Sequence, residues 1–355
     1  MNILYLITGL GLGGAEKVVV DLAEQMHSLG HKVKIAYLKG EAIVTPKSID
    51  IEFICLEFDS LSQFIPASKK YRSLIKEFKP DVVHAHMVHA NIFARLNRIG
   101  CNVPKLICTA HNSNEGGRLR MLAYRYTNHL SDINTNVSGE ASDSLIAKGA
   151  FSKQNLITVY NGIDLEKFNK FNKIEKNVNN KIKFLSVGRF NEQKDYPNLL
   201  NAIALLKDNL TENIKFYIAG DGELRNAIES LIIELEITNF VELLGKRSDI
   251  PELLNEANFF ILPSKHEGLP TVVIEAMACQ TYVISTNCGG SAEIMGITGK
   301  LIPTQDSFAL SEAINDVLVL GDAAIEKNNL DARKRVEDTF SLQVSVNKWL
   351  ELYEK

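Results

Sequence analysis

The chain has 355 residues, 45% hydrophobic and 23% charged, with a formal net charge of −4. That is enough for about two domains, and too acidic for a nucleic-acid binder that works by bulk electrostatics. Its five cysteines (Cys55, Cys101, Cys108, Cys279 and Cys288) contain no C-x-x-C, which fits free thiols in a reducing cytoplasm rather than a disulfide framework or a zinc site.

The apolar opening segment has no cationic leader and is interrupted by glycines before Glu16 and Lys17, so it reads as a first strand and not as a signal peptide. No run approaches the roughly eighteen apolar residues of a membrane span, and any membrane contact is expected to be peripheral. Ile3 to Ile7 is β-rich, and a glycine loop turns it into a helix beginning near Ala15. Gly9, Gly11 and Gly14 satisfy G-x-G-x-x-G, which raises the possibility of an NAD-dependent oxidoreductase. The following strand, Val33 to Leu38, ends at Lys39 where that pattern wants an acid, so the loop reads as phosphate-facing without NAD specificity.

Asp81 to His86 is another strand, on which His84 and His86 share a face. No acid or cysteine accompanies them or His89 nearby, so no metal is expected there. Leu106 to Asn112 is a strand that delivers His111 to the loop at its end. Glu115 to Leu130 mixes Arg118, Arg120 and Arg125 with Leu119, Met121, Leu122, Tyr124 and Tyr126. Such a helix suits an anionic membrane or a lipid diphosphate, or is an ordinary amphipathic surface helix. Lys69, Lys70, Arg72, Lys76 and Lys79 form a second basic stretch that reads as a solvated face.

From Lys167 to Lys183 the chain is mostly Lys and Asn, which cannot pack a core. The predicted division is a first domain over 1–165, a linker over 166–181 and a second domain over 182–339, with 340–355 an amphipathic helix. The strand Phe184 to Val187 leads into Gly188-Arg189-Phe190-Asn191-Glu192-Gln193-Lys194-Asp195. Arg189 offers a planar fork and Lys194 a compact charge, so the two together can hold two phosphates. Strands ending at Ala219 and Leu244 meet tight turns, the second carrying Arg247.

Phe259 to Leu262 reads as a buried strand, and the polar loop Ser264 to Leu269 separates it from a helix with Pro270 at its first position. From Val272 to Cys279 every side chain is apolar except Glu275, so a basic group or a ligand hydroxyl must meet that carboxylate. Glu267 lies eight residues earlier, at a strand's carboxyl end where open α/β sheets bind ligands, and Gly268 lets the backbone come close. A second strand-loop-helix unit, Thr281 to Glu293, follows.

The segment SKHEGLPTVVIEAMACQTYVIST resembles the Glu-x7-Glu signature of retaining, nucleotide-sugar-dependent glycosyltransferases of family 4. The resemblance implies an α/β GT-B fold: two Rossmann-like doubly wound parallel-sheet domains facing a central cleft, with the tail helix crossing back to the first domain. GRFNEQKD resembles the family's Gly-Arg…Lys-Gly element, with Asp195 where glycine is usual. By resemblance Arg189 and Lys194 neutralise the leaving diphosphate. Gly14 faces the donor diphosphate, and Glu267, Gly268 and Leu269 face the donor sugar. Glu275 holds the ribose, the Arg247 loop meets the base, and His111 sits beside the transferred sugar.

The implied reaction moves a sugar from a nucleoside diphosphate sugar, a UDP-sugar by expectation, to a hydroxyl with retention. No cofactor and no metal are expected, since no Asp-x-Asp occurs. The acceptor expected from Arg118, Arg120 and Arg125 is a polyprenyl-diphosphate-linked saccharide of bacterial surface-polysaccharide assembly, met by a cytoplasmic enzyme at the inner face of an anionic membrane. The alternatives are a soluble small-molecule acceptor, a non-catalytic sugar-nucleotide-binding subunit and the oxidoreductase. Nucleic acid is not an expected partner.

Overall fold

A computed structural model describes residues 1–11, 13–113, 116–171 and 181–355. The chain divides into two units, Met1–Gly162 with Leu342–Lys355, and Ile163–Ser341. Leu12 of the glycine loop, Glu115 at the start of the basic stretch, and residues 172–180 of the expected linker lie outside the described residues.

The first unit alternates β1 (Asn2–Ile7), α1 (Gly14–Ser28), β2 (Lys32–Tyr37), β3 (Glu52–Cys55), α2 (Phe64–Phe78), β4 (Val82–His86), α3 (Val88–Arg98), β5 (Lys105–Ala110), α4 (Arg118–Thr127), β6 (Ile133–Asn136), α5 (Gly139–Ala147) and β7 (Ile157–Thr158). The seven strands are all parallel in the order β3-β2-β1-β4-β5-β6-β7. Alternate residues of β1 serve opposite layers. Ile3, Tyr5 and Ile7 join the core that includes Val19 and Ala23 of α1, whereas Leu4 and Leu6 join Tyr71 of α2 and Phe93 of α3.

The second unit runs β8 (Ile182–Val187), α6 (Tyr196–Leu206), β9 (Ile214–Ala219), α7 (Arg225–Glu234), β10 (Val241–Gly245), α8 (Ile250–Glu256), β11 (Phe259–Leu262), α9 (Thr271–Ala278), β12 (Tyr282–Thr286), α10 (Ser291–Met295), β13 (Lys300–Ile302), α11 (Ser307–Leu318) and α12 (Asp322–Thr339). Its six parallel strands lie in the order β10-β9-β8-β11-β12-β13. Phe184 stacks on Phe216 and Phe259 across three neighbouring strands at 4.7 and 4.9 Å between ring centroids, each pair worth about 0.5–1.5 kcal/mol beyond its burial.

In each sheet the order reverses at one strand, between β1 and β4 and between β8 and β11. Ligands of doubly wound folds bind in the crevice at the carboxyl ends of the strands on either side of such a reversal.

The boundary falls slightly earlier than the expected 165/166. Residues 163–171 pack in the second unit because Phe168 is buried, Asn255 accepts from the Phe171 N–H at 2.8 Å, and Arg333 donates to the carbonyls of Phe168 and Ala278 at 2.9 Å each. The last helix, α13 (Leu342–Glu354), belongs to the first unit, where Val346, Trp349, Leu352 and Tyr353 are buried with the α1 side of the sheet. Pro270 is the N-cap of α9 rather than its first helical residue, which leaves Thr271 to open the helix.

Candidate active site

At the switch point of the second unit, the loops after β8 and β11 close on each other. Lys194 Nζ lies 2.6 Å from Glu267 Oε1, with the two side chains 17% and 10% exposed. Ser264 donates its hydroxyl to the same oxygen at 2.7 Å, and the Lys265 N–H donates to the Gln193 carbonyl at 2.8 Å. The pair expected from sequence on separate motifs is therefore one ion pair, held where a ligand of this fold sits.

Local chemistry explains how Lys194 arrives there. Asn191 caps a short 3₁₀ turn, Glu192–Lys194, by accepting from the Lys194 N–H at 3.1 Å. Asp195 then takes a left-handed conformation, φ 47°, which accounts for glycine in the related pattern and is among the few conformations of this kind that Asp tolerates. Its carboxylate lies 3.5 Å from Lys265 Nζ, and its pKa is raised by burial with Lys265 opposing. A Cβ at Gly188 would sit 2.9 Å from Lys194 Cε and would push the end of that side chain from its place.

The loop after β12 braces Glu267 from the other side. Gly290 donates its N–H to the Gly268 carbonyl at 2.8 Å, and Gly289, at φ 55°, passes so close that a Cβ would lie 2.6 Å from the Glu267 carbonyl oxygen. Thr286 donates its hydroxyl to the Ser264 carbonyl at 2.7 Å. Ser264, Thr286 and Gly289 were not singled out from sequence as positioners of Glu267. The double glycine after β12 was the available signal, but a tight turn alone accounts for it.

Leu269 is buried behind this loop, and Glu275 is buried on α9, 8% exposed, among Val273, Ile274 and Met277. Arg189 is different. Its side chain is 67% exposed and meets Glu223 with its Nε and Nη2 at 3.2 Å each. Arg247, at the carboxyl end of β10, makes a two-pronged pair with Asp249, its Nε donating at 2.8 Å, and the pair holds the Arg247 pKa up. The structure thus brings Lys194, Glu267 and Gly268 together. It leaves both guanidinium groups on neighbouring loops, each with its own carboxylate.

At the switch point of the first unit, Gly14 opens α1 and has no neighbour that a Cβ would touch, and Gly9 has only the Lys39 carbonyl at 3.2 Å. His86, at the end of β4, places Nδ1 3.0 Å from His111 Nε2 beyond the end of β5. His84 and His86 share a face as expected, 3.9 Å between centroids. His84 Nδ1 meets the Tyr353 hydroxyl and His84 Nε2 the Thr109 hydroxyl, both at 2.7 Å, and Tyr353 reaches the Tyr5 hydroxyl at 3.1 Å. Burial holds all three imidazoles below their ordinary range, His111 down to about 4, so at neutral pH they are uncharged hydrogen-bonding groups. Tyr353 lies on the amphipathic tail helix expected over 340–355. Its hydroxyl finds a partner once α13 docks.

The basic stretch does not form one face. At about 100° per residue, Arg118, Leu119, Leu122, Arg125 and Tyr126 fall on one exposed arc. Leu119 and Tyr126 on that arc are 82% and 71% exposed. Met121 and Tyr124 point into the core with Phe151. Arg120, half a turn from Arg118, folds back over Gly116, where a Cβ would lie 2.6 Å from its Nη1. No helix among the described residues is long and apolar enough to cross a membrane.

Two family models match this chain, Glycosyltransferase Family 4 over residues 12–167 and Glycosyl transferases group 1 over residues 167–335. A Campylobacter jejuni GalNAc-alpha-(1->4)-GalNAc-alpha-(1->3)-diNAcBac-PP-undecaprenol alpha-1,4-N-acetyl-D-galactosaminyltransferase is 29% identical over 99% of this chain and 98% of its own. The Escherichia coli UDP-Gal:alpha-D-GlcNAc-diphosphoundecaprenol alpha-1,3-galactosyltransferase is 26% identical over 92% and 98%. The Bacillus subtilis putative glycosyltransferase EpsF is 30% identical over 78% and 77%. In fold, a Rickettsia africae glycosyltransferase superposes with a TM-score of 0.87 at 21% identity, covering 99% of this chain and 98% of that one. Anabaena HepE in complex with UDP superposes with a TM-score of 0.86 at 20% identity, covering all of both chains.

Proposed function

The chain belongs to glycosyltransferase family 4, with the GT-B fold, and on that premise we propose that it transfers a sugar, with retention, from a UDP-sugar to a hydroxyl of a polyprenyl-diphosphate-linked saccharide. The relatives from C. jejuni and E. coli act, by their names, on undecaprenyl-diphosphate-linked saccharides, and the E. coli enzyme uses UDP-Gal. The observation that carries the catalytic reading is the Lys194–Glu267 pair at the β8/β11 switch point.

In the resting protein the two charges compensate each other. A bound donor offers each a better partner: a diphosphate oxygen for Lys194 and sugar hydroxyls for Glu267. As the bond from the anomeric carbon to the diphosphate breaks, its electron pair leaves on the diphosphate. Lys194, Arg189 released from Glu223, and the N–H groups that open α9 stabilise that growing charge. The acceptor hydroxyl passes its proton to the departing diphosphate oxygen as its own oxygen bonds the anomeric carbon from the same face. His111, neutral at working pH, serves the sugar as a hydrogen-bond partner rather than as a cation. Glu275 holds the ribose, and the Arg247 loop meets the base. No divalent metal is needed in this scheme.

The enzyme works from the cytoplasm on a membrane-borne acceptor, and the exposed Arg118, Leu119, Leu122, Arg125 and Tyr126 arc on α4 suits an anionic bilayer surface. A panel of labelled UDP- and GDP-sugars, offered with short-chain polyprenyl-diphosphate saccharides in anionic vesicles, tests this reading. Transfer with retained anomeric configuration in the presence of EDTA is expected. Transfer confined to soluble sugars overturns the acceptor assignment, and loss of activity to EDTA with recovery in magnesium overturns the metal-free scheme.

A further inference from the structure

A cavity of about 220 Å³ opens beside the carboxyl ends of β1 and β2. Thr8 follows β1 and Lys39 follows β2. Asp59 and Ser60 come from the loop after β3, and His89 comes from the first turn of α3. The position is the ligand-binding end of the sheet, next to the strand where its order reverses. The volume falls below the roughly 300 Å³ at which pockets for drug-sized molecules begin, so there is room for one sugar ring and not for two.

The lining carries one positive and one negative side chain that do not close on each other. The Phe58 N–H donates to the Leu38 carbonyl at 2.7 Å, and the next residue on each side is charged, Lys39 on one loop and Asp59 on the other. The Lys39 N–H is tied in turn to the Thr8 carbonyl at 3.2 Å, and Gln63 accepts from the N–H groups of Asp59 and Ser60 at 2.7 and 2.9 Å. Three loops are thus laced together at the backbone, yet among the described residues neither Lys39 nor Asp59 makes an ion pair. Between them lies a gap with a donor-only group on one side and an acceptor-only group on the other. A phosphate or carboxylate that approaches Lys39 also meets Asp59, and an ammonium that approaches Asp59 also meets Lys39. Hydroxyls, which donate and accept, satisfy both. Thr8 Oγ1 is shielded from solvent and has no hydrogen-bond partner among the described residues. The His89 imidazole is held below its ordinary range, by burial first and by neighbouring positive charge second, so at neutral pH it too can donate and accept without a charge. Phe58, packed against Phe64 and Phe93, and Leu61, 86% exposed although it lines the cavity, add the apolar surface that the C–H edge of a ring needs.

We propose that this pocket seats the terminal sugar of the acceptor and selects an uncharged ring, with Lys39 donating to its hydroxyls, Asp59 accepting from them, and Thr8, Ser60 and His89 as further hydrogen-bond partners. Lys194, Glu267 and Glu275, to which the donor is assigned, all belong to the second unit, which leaves this pocket of the first for the acceptor. That the ring is the acceptor's rests on the transfer reading above; the choice of a neutral sugar does not.

Two measurements on the full chain test it. In the first, protein saturated with UDP, so that the donor site is filled, is titrated with the methyl glycosides of glucose, galactose, mannose, N-acetylglucosamine and N-acetylgalactosamine, and with methyl glucuronide and methyl galacturonide, while the His89 ring signals are followed by NMR. At least one neutral glycoside should shift them saturably and neither uronide should. Asp59→Asn should weaken the neutral glycoside about tenfold and admit the uronides, whereas Lys39→Gln should weaken it about tenfold and admit neither. Thr8→Val should weaken it about threefold with the melting temperature unchanged or raised, because the hydroxyl it removes has no partner in the free protein. No response to any neutral glycoside, a uronide bound by the wild type as tightly as its neutral parent, or exclusion of the uronides by Asp59→Asn overturns the pocket. In the second, transfer is measured to the octyl glycoside of the neutral sugar that binds. Asp59→Asn should raise KM about tenfold with kcat nearly unchanged. If His89 responds as expected while KM for that acceptor does not move, the neutral-sugar pocket stands and its assignment to the acceptor falls.

Discussion

Replacing Lys194 removes one half of a nearly buried pair, and its consequences can be sized from the geometry. At 2.6 Å and an effective dielectric of about 20, the attraction to Glu267 is about 6 kcal/mol before hydration is counted. Most of that repays the water both groups lost, leaving an expected coupling of about 1–3 kcal/mol at these exposures. Lys194→Met alone leaves Glu267 with the Ser264 hydroxyl and destabilises the second unit by about 3 kcal/mol. Glu267→Gln alone strands the ammonium, and the double variant recovers part of the sum. Urea unfolding of the four proteins measures the cycle. Catalysis separates from stability in the same set, because the contact proposed between Lys194 and the leaving diphosphate does not depend on the charge of Glu267. The double variant should therefore still lose about 10²–10³ in kcat relative to Glu267→Gln. Stabilities that add within about 0.5 kcal/mol would refute the coupled pair, and a kcat ratio near one would refute the role of Lys194.

The buried histidines make the first unit acid-sensitive. A folded pKa depressed from 6.5 to about 4 at His111 means that the unfolded chain binds the extra proton between those values, so stability present above about pH 6.5 falls by on the order of 3 kcal/mol as pH drops toward 4. Denaturation midpoints at several pH values, in wild type and His111→Asn, should show a shallower acid loss in the variant; parallel curves would remove the assignment. Tyr353→Phe deletes the hydroxyl between His84 and Tyr5 and should cost about 1–3 kcal/mol in urea unfolding; an unchanged midpoint would mean that the hydroxyl contributes nothing to docking α13. Gly289→Ala should cut transfer sharply with little change in melting of the first unit, since its Cβ collides with the Glu267 backbone; normal kcat would show that the two loops are not locked together. Arg118→Gln with Arg125→Gln should weaken sedimentation with anionic vesicles roughly thirtyfold at about 1 kcal/mol per charge, whereas Arg120→Gln should not; equal losses would restore a single basic face.

Period and punctuation in one dimension carried much of this protein. Short apolar runs bounded by glycine or polar turns, each followed by a helical pattern, identify parallel α/β units, because strands buried on both faces need no alternation. The Glu-x7-Glu spacing and the Gly-Arg…Lys element are local, so the sequence alone names Glu267, Glu275, Arg189 and Lys194 as candidate site residues. Pairing across the fold was not readable. That Lys194 meets Glu267, 73 residues away, depends on β8 and β11 lying side by side, a consequence of sheet order. The same holds for Tyr353 and His84, brought together over 269 residues by α13 returning to the first unit. Helix phase decided the fate of the arginines, since composition places Arg118, Arg120 and Arg125 in one basic stretch while a rotation of about 200° turns Arg120 away. Sequence thus determined which chemistry the chain carries. Tertiary packing decided which charges share a site, because ion pairs and pockets depend on distances of a few ångström that only the arrangement of strands and helices sets.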